Sequence, residues 1–160
     1  MTVWLVRAGS YGQRETLALE QGLSITGFGE LPDLGPIGSR DALAELIRDT
    51  YRDADEVRVS SWADQLWAFR ELIEVGDLVV LPLQRQAAIA VGRISGPYVY
   101  RPDLPDDCCH TRATSWMSSG IGRSKFDQDL LYAMHVIGTV FRVSADKAEE
   151  RIAAMVGGKV

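Results

Sequence analysis

The sequence predicts one α+β domain in which helices are inserted early and the later strands form a curled mixed sheet or partial barrel. Strand-like and helical patterns alternate up to residue 76, whereas short apolar runs joined by polar turns follow from Asp77. The chain has 160 residues, of which 46% are apolar, so it is long enough to bury one substantial core. It contains no internal repeat.

The first part of the chain contains a strand, a short helix and a second strand. Residues 2–7, TVWLVR, are rich in β-branched and aromatic side chains, which favour a strand. The segment RETLALEQG predicts a short helix that ends at Gly22. LSITGFG predicts the next strand, and the Pro and Gly residues of ELPDLGPIG predict a loop after it.

Two longer helices follow this loop. Ser39 begins a helix that extends through Tyr51, because apolar side chains recur at helical spacing on one face, at Leu43, Leu46 and Ile47. We expect a second helix in SSWADQLWAFREL, with Ser60 or Ser61 as its N-cap.

From Asp77 onward the pattern is typical of strands. DLVVLPL and AAIAVGRIS are separated by the polar turn QRQ, which predicts a hairpin, and GPYVYR extends the second strand. After a loop, TRATSW alternates like a half-buried strand. The chain is expected to continue with a helix that begins near Ser124, a strand and a last helix, in IGRSKFDQDLLYAMH, GTVFRV and ADKAEERIAAMV.

The residues at 157–160, GGKV, are typical of the start of a linker. We therefore expect a single domain over residues 1–156 and a further domain beyond the linker. No apolar run approaches the roughly 18 residues of a membrane span, and the amino terminus lacks a signal-peptide pattern. The adjacent Cys108 and Cys109 cannot form an ordinary disulfide with each other. These features predict a cytoplasmic protein that does not bind membranes.

The formal net charge of −5 conceals a local excess of positive charge. Residues 1–83 hold 7 basic and 14 acidic side chains, whereas residues 84–125 hold 6 basic and 3 acidic ones. A nucleic-acid-binding surface needs a local basic patch rather than a basic average. Scattered, solvated arginines are the alternative interpretation. The basic residues of the second segment are Arg85, Arg93, Arg101, Arg112, Arg123 and Lys125.

The sequence lacks the motifs of common catalytic and metal sites. It has no G-x-S-x-G, no G-x-x-x-x-G-K-[ST] and no H-E-x-x-H, and GSYGQRE lacks the third glycine and the lysine of nucleotide-binding loops. Cys108, Cys109 and His110, with His135 far away, do not have the spacing of a zinc site. We therefore expect a binding domain rather than an enzyme, with no catalytic residue, no metal and no other cofactor.

The aromatic residues are better suited to form flat binding walls than to act as reagents. Trp4 lies in the first strand, where it is expected to be core, and Trp67 and Phe69 are expected to pack inward because they do not share the helix face of Trp62. The candidates for a pocket lie near element ends or in loops: Phe28, Trp62, Tyr98 and Tyr100.

Several segments resemble a known superfamily. SSWADQLWAFRELIEVGDLVVLPLQRQAAIAVGRISGPYVYRPD is similar to the helix and strands of EVE domains, which belong with YTH domains in the PUA-like superfamily. VWLVRAGSYGQRE and ITGFGELPDL resemble the first strand, loop, helix and second strand of that fold. The whole chain also resembles the amino-terminal domain ahead of the nuclease domain in some Mrr-type restriction system proteins, through WLVRAGSYGQRE, QLWAF, GDLVVLPL, GPYVYRPDLP, HTRATSW and FDQDLLY.

This resemblance implies a PUA-like (EVE/YTH-like) domain of a modification-dependent, type IV restriction system. Such a domain binds DNA with a modified base turned out of the helix into an aromatic pocket. Phe28 stands where YTH domains have tryptophan, so N6-methyladenine is one candidate base among several. By position, the resemblance implies that the base pocket contains Arg7, Ala8, Gly9, Ser10, Phe28, Gly29, Trp62, Gln65 and Tyr98.

The same resemblance implies the partners. The six basic residues of segment 84–125 would contact the DNA backbone, and any nuclease activity would belong to a fused domain. Two main alternatives stay open at this point, and a catalytic role that depends on Asp127 or Asp129 is a third. One is a PUA-like module that binds RNA or a free modified nucleotide; the other is a module whose aromatic residues bury against a partner protein or a second copy.

Overall fold

A six-stranded mixed sheet forms the centre of the computed structural model, which describes residues 2–157. In chain order, the strands are β1 Val3–Val6, β2 Leu23–Ile25, β3 Leu78–Pro82, β4 Ala88–Tyr100, β5 His110–Gly122 and β6 Val140–Arg142. Their order across the sheet is β2-β5-β4-β3-β1-β6. The helices are α1 Glu15–Gln21, α2 Arg40–Thr50, α3 Glu56–Trp67, α4 Gln128–Ala133 and α5 Ala148–Met155. The fold class is therefore α+β.

The pairing of the strands decides which loops meet. β1 runs parallel to β3, and the other neighbours in the sheet are antiparallel. The loop after β1 and the β3–β4 turn consequently lie at the same end of the sheet. The long β4–β5 hairpin changes register between Ile94 and Tyr98, an irregularity that bends strands. The predicted mixed sheet is confirmed, and it is open because its edge strands, β2 and β6, do not pair with each other.

Alternation along the strands supplies two buried faces. Val3 and Leu5 of β1 belong to a cluster with Val80 that α4 and α5 cover through Leu130 and Ile152. On the other face Trp4 and Val6 pack with Phe69, which lies in a π-helical turn, Ala68–Leu72, that continues α3. Trp4 is buried, as the sequence predicts, and its indole nitrogen donates a 3.0 Å hydrogen bond to Asp77.

The helix α2 packs against α3 on the outer side of this second face. Ser39 caps α2 by accepting a hydrogen bond from the backbone nitrogen of Ala42 at 3.1 Å, as its sequence predicts. The predicted N-cap of the next helix at Ser60 or Ser61 is wrong. α3 begins earlier, because Asp55 is its N-cap and its side chain accepts a hydrogen bond from the backbone nitrogen of Arg58 at 2.9 Å.

The second half differs from the prediction mainly at one helix. The segment Arg123–Lys125 forms a short 3-10 turn, and α4 begins only at Gln128, after the predicted start near Ser124. The β3–β4 hairpin, the last strand and the last helix are confirmed. Of the predicted linker at 157–160, residues from 158 onward lie outside the described residues. Within residues 2–157, no helix combines the length and the apolar content needed to cross a membrane.

Candidate functional site

A cavity of about 670 Å³ lies where three loops meet beside α3. This volume falls within the range of roughly 300–1,000 Å³ that is common for small-ligand pockets. The cavity is lined by residues of the loop 7–14 after β1, by Gly27 and Phe28 after β2, and by the loop 135–139 before β6. Trp62 of α3 and Asp107 complete its wall.

Two aromatic rings form one side of the cavity. The rings of Phe28 and Trp62 are 5.9 Å apart with an angle of 69° between their planes, an edge-to-face arrangement. Tyr51 lies behind them and contacts both rings edge-to-face, at 6.3 Å and 5.4 Å. The hydroxyl of Tyr51 donates a 2.8 Å hydrogen bond to Glu30, which fixes the position of this supporting ring.

The backbone of Phe28 adopts a conformation that is rare for a residue with a side chain. Its φ angle is +62°, in the left-handed region, where a non-glycine residue is held by its surroundings. Its carbonyl oxygen accepts hydrogen bonds from the backbone nitrogen of Leu31 at 3.0 Å and from Nε2 of His110 at 3.2 Å. These two contacts hold the backbone from which the Phe28 side chain projects.

A chain of partly buried hydrogen bonds extends from Phe28 toward the core. Because a carbonyl oxygen can only accept, Nε2 of His110 is the protonated nitrogen and Nδ1 accepts a 2.7 Å bond from the hydroxyl of Tyr98. The same hydroxyl accepts a bond from the backbone nitrogen of Leu34 at 3.1 Å. Burial lowers the pKa of His110 and raises the pKa of Tyr98. Both groups are therefore neutral at neutral pH.

Arg7 fixes the opposite wall of the cavity. Its guanidinium donates hydrogen bonds to three carbonyl oxygens of the last loop, those of Met134 (2.8 Å), Val136 (2.9 Å) and Gly138. It also lies over the ring of Phe141, 5.1 Å from the centroid. Burial lowers the pKa of Arg7. Arg7 thus organises the loop 134–139 and turns little of its donor capacity toward the cavity.

Arg14 is the donor that the cavity can use. Its side chain is only 7% exposed and forms an ion pair with Asp107, whose side chain is 54% exposed. One of its terminal nitrogens, Nη1, makes this contact, and Nε is buried without a partner among the described residues. Because Nε is enclosed, only the terminal nitrogens of this cavity-lining guanidinium can donate to acceptor atoms of a ligand. No sequence pattern indicates this role, because Arg14 precedes an ordinary short helix.

Most of the predicted pocket segments meet at this cavity. Arg7, Gly9, Ser10, Phe28 and Trp62 line it. Ala8 is buried beneath it, and Gly29 packs against the backbone of Asp106, where a Cβ atom would lie 2.7 Å from the carbonyl oxygen. Neither of these two residues is placed on the cavity surface.

Gln65 and Tyr98 support the cavity without lining it. Oε1 of Gln65 accepts hydrogen bonds from the backbone nitrogens of Thr139 (2.7 Å) and Val140 (3.2 Å), so its side chain holds the loop 134–139 from behind. The predicted role of Tyr98 as the opposite aromatic wall is wrong. Its ring packs against Phe69 and its hydroxyl bonds to His110, at the point where the pairing of β4 with β5 shifts register.

The six basic residues predicted to contact DNA occupy four different environments. Arg112 is 2% exposed, and it donates to the carbonyl oxygens of Gly96 and Phe69 at 2.9 and 3.0 Å. Its prediction as a phosphate contact is wrong, because the buried guanidinium satisfies core carbonyl groups. Arg93 is half-buried and donates to the carbonyl oxygen of Gly76. Arg101 forms a two-pronged pair with Asp103, at 2.9 and 2.8 Å.

The other three basic residues lie at the end of the sheet where β1 ends. Arg85 is in the β3–β4 turn, and the neighbouring Gln84 donates a backbone hydrogen bond to Glu15, next to the loop 7–14. Arg123 donates its backbone hydrogen bond to Ala87 of the same turn, and Lys125 follows in the 3-10 turn. These residues are the ones that remain candidates for contacts to phosphate groups.

A second, shallower cavity of about 750 Å³ runs along the outer side of α3. Apolar side chains line much of it, and three of them are exposed: Val57, Leu72 and Ile137. Ile137 borders both cavities, whereas Gln65 lines only this second one. We call this second cavity the α3 groove.

Comparison with known proteins places this architecture in a family. The model of a domain of unknown function, DUF8426, matches residues 4–143. The chain belongs to the DUF8426 family. The matched region of this DUF8426 domain includes every residue that lines the cavity. The X-ray crystal structure of protein Atu2648 from Agrobacterium tumefaciens is similar at a TM-score of 0.41 and 11% identity, over 99% of this chain and 94% of that chain. No curated protein matches.

Proposed function

We propose that this DUF8426 domain recognises modified DNA by binding an extruded base in the cavity between Phe28, Trp62 and Arg14. In this proposal the domain has the PUA-like, EVE/YTH-like architecture that its sequence motifs resemble. It serves a modification-dependent, Mrr-type restriction system as the recognition module, and cleavage belongs to a fused nuclease domain. The domain itself is a binding module and not an enzyme.

The main support is that three distant segments of the chain line one cavity. The resemblance assigned the base pocket to the loop after β1, to the end of β2 and to α3, and Ser10, Phe28 and Trp62 from these segments all border the same space. Aromatic rings are the side chains on which extruded bases stack, at about 1–3 kcal/mol per stacked base by alanine substitution. The volume of about 670 Å³ leaves room for a base with an added substituent.

The polar groups of the cavity suit the edge of a base. The guanidinium of Arg14 donates, and the carboxylate of its partner Asp107 accepts, so the two side chains together offer both kinds of hydrogen bond on one wall. A flipped base is recognised through hydrogen bonds to its edge in combination with stacking. The rigid placement of Phe28 by His110 adds preorganisation, which lowers the free-energy cost of binding.

Phosphate contacts in this proposal come from the end of the sheet where β1 ends. Arg85, Arg123 and Lys125 lie there, next to the loop that lines the cavity. Such contacts add affinity without sequence information and make binding dependent on salt.

A competition experiment tests the proposed class of ligand. A panel of DNA duplexes with different modified bases is titrated into the domain, and unmodified duplex and unmodified RNA of the same sequence serve as competitors. We expect at least one modified duplex to bind more tightly than both competitors. Equal binding of all duplexes would contradict recognition of a modification, and preference for the RNA would favour the alternative of an RNA-binding module.

The α3 groove favours a second candidate function, that of a protein-interaction module. Its exposed Val57 and Leu72 lie outside the base cavity and are not needed for base binding. Dimerisation that is lost in a Leu72→Ser variant, with no binding to any oligonucleotide, would favour this candidate over the first.

A further inference from the structure

We propose that Ile137 enters the DNA duplex and fills the space that the extruded base leaves. This inference rests on the proposed function, since it requires that a base leaves the helix. It assigns to the loop 134–139 a role separate from binding the base itself. The loop keeps the helix open, whereas the cavity holds the base.

The exposure of Ile137 is the first observation. Its side chain is 99% exposed, and the preceding Val136 is 50% exposed. Both residues line the rim of the base cavity. A fully exposed isoleucine gains nothing from the hydrophobic effect in the free protein, so it becomes stabilising only when another apolar surface covers it.

The rigidity of the loop is the second observation. Arg7 donates side-chain hydrogen bonds to the carbonyl oxygens of Val136 and Gly138, on both sides of Ile137, and its own backbone nitrogen donates to Thr139 at 2.8 Å. Oε1 of Gln65 holds the backbone nitrogens of Thr139 and Val140. The side chain at the tip is free, but the backbone that presents it is fixed from two sides.

Gly138 completes this arrangement. Its φ angle is +141°, a conformation that residues other than glycine rarely adopt. A Cβ atom at this position would lie 3.3 Å from Oε1 of Gln65. The glycine thus lets the loop turn sharply just after Ile137 and lets Gln65 approach the backbone. A fixed tip can displace stacked bases, whereas a flexible one would lose conformational entropy on insertion.

The chemistry of the loop fits a gap between base pairs. Proteins that unstack DNA insert apolar side chains such as Ile, Leu, Phe or Met between neighbouring bases. Residues 133–145 contain no Asp or Glu, although the whole chain has a net charge of −5, so no carboxylate of this segment repels the phosphate groups on either side of the gap. Because Ile137 and the base cavity share one rim, the inserted side chain and the extruded base belong to the same position in the DNA.

The test compares two DNA substrates that carry the same modified base, taken from the panel above. In the first the base is paired within a duplex, and in the second it lies in a single strand, where no stack has to be held open. We expect Ile137→Ser to weaken binding to the duplex by about tenfold or more. Binding to the single strand should change by less than about twofold, because the base enters the cavity without a wedge.

Val57→Ser is the matched control, because Val57 is also highly exposed and borders the α3 groove but not the base cavity. It should change neither affinity, and both variants should unfold at the temperature of the wild type. Unchanged duplex binding by Ile137→Ser, or an equal loss on both substrates, would overturn the role of Ile137 as a wedge while leaving the base pocket in place. A wild-type protein that prefers no modified substrate would overturn the proposed function and this inference with it. A loss of self-association in Ile137→Ser, without a change in DNA binding, would identify the residue as a protein contact and also overturn the inference.

Discussion

The imidazole of His110 donates a hydrogen bond from Nε2 to the backbone carbonyl oxygen of Phe28, 3.2 Å away. This contact joins the first residue of β5, which is completely buried, to the aromatic wall of the cavity. Since Phe28 has a φ angle of +62°, its conformation depends on such partners. His110 is therefore a positioning residue, and its protonation state affects both the fold and the pocket.

We predict that the protein loses stability as the pH falls below the ordinary histidine pKa of 6.5. Burial lowers the pKa of His110 in the folded state, so the unfolded state binds more protons at acidic pH. The contribution of His110 is fully present above pH 6.5 and is lost as the pH falls from there through the lower, folded-state pKa. Chemical denaturation between pH 7.5 and pH 5 measures this change in the free energy of unfolding.

His110→Gln removes the titrating group and serves as the reference for that experiment. At pH 7.5 the variant should be less stable by about 1–3 kcal/mol, because the hydrogen bonds to Tyr98 and Phe28 are broken or distorted. Between pH 7.5 and pH 5 its stability should fall less than that of the wild type. The same pH dependence in both proteins would assign the acid sensitivity to other groups.

Arg14→Met is predicted to weaken binding to the preferred modified duplex by about tenfold or more, since it removes the donor at the cavity wall. The variant should remain folded, because the carboxylate it leaves behind, that of Asp107, is half exposed and can be hydrated. Isothermal titration measures the affinity, and thermal unfolding checks the fold. Arg14→Lys is the control for charge: a lysine that restores full affinity would show that the cavity needs only a positive charge and not the guanidinium geometry.

The salt dependence of binding should separate the basic residues into two groups. Arg85→Ala and Arg123→Ala should each lower the slope of log K against log salt by about one unit, because each arginine neutralises one phosphate. Neither variant should change the preference among modified bases. If both variants have the wild-type slope, Arg85 and Arg123 do not contact phosphate groups, and this end of the sheet is not part of a DNA interface.

Arg112→Ala is predicted to act on stability instead. Its guanidinium is buried, and its loss leaves the carbonyl oxygens of Gly96 and Phe69 without their donor. The cost of such unsatisfied groups is about 1–3 kcal/mol each. Urea denaturation should therefore show a clear loss in the free energy of unfolding. A stable variant with a reduced salt slope would instead place Arg112 in contact with phosphate.

Local patterns along the chain were sufficient to predict most elements of the fold. Gly22 ends α1 in the left-handed conformation, and Ser39 caps α2, because both signals act within a few residues of the helix end. The start of α3 was misplaced because Asp55 competes with two serines as a cap, and a cap five or six residues earlier gives a longer helix. The order of the strands in the sheet depends on contacts between distant segments, and periodicity contains no information about it.

The resemblance was sufficient to predict which segments meet at the cavity. It was not sufficient to predict side-chain orientations that depend on tertiary contacts. Phe28 and Trp62 come together at the cavity as their positions implied. Tyr98 and Arg112 were misassigned because polar and aromatic residues near a bend in β4 and β5 can face either side, and here both face the core. Arg14 was missed because its pairing with Asp107 spans 93 positions in the sequence.

The affinity of Trp62→Ala for the preferred modified duplex is the most direct test of the base cavity. Trp67→Ala is the matched control, because Trp67 lies on the same helix, is also partly buried and lines neither cavity. We predict that Trp62→Ala weakens binding by about 1–3 kcal/mol and remains folded, and that Trp67→Ala binds like the wild type. Equal affinities of Trp62→Ala and the wild type for the modified duplex, or an unfolded Trp62→Ala variant, would contradict the account.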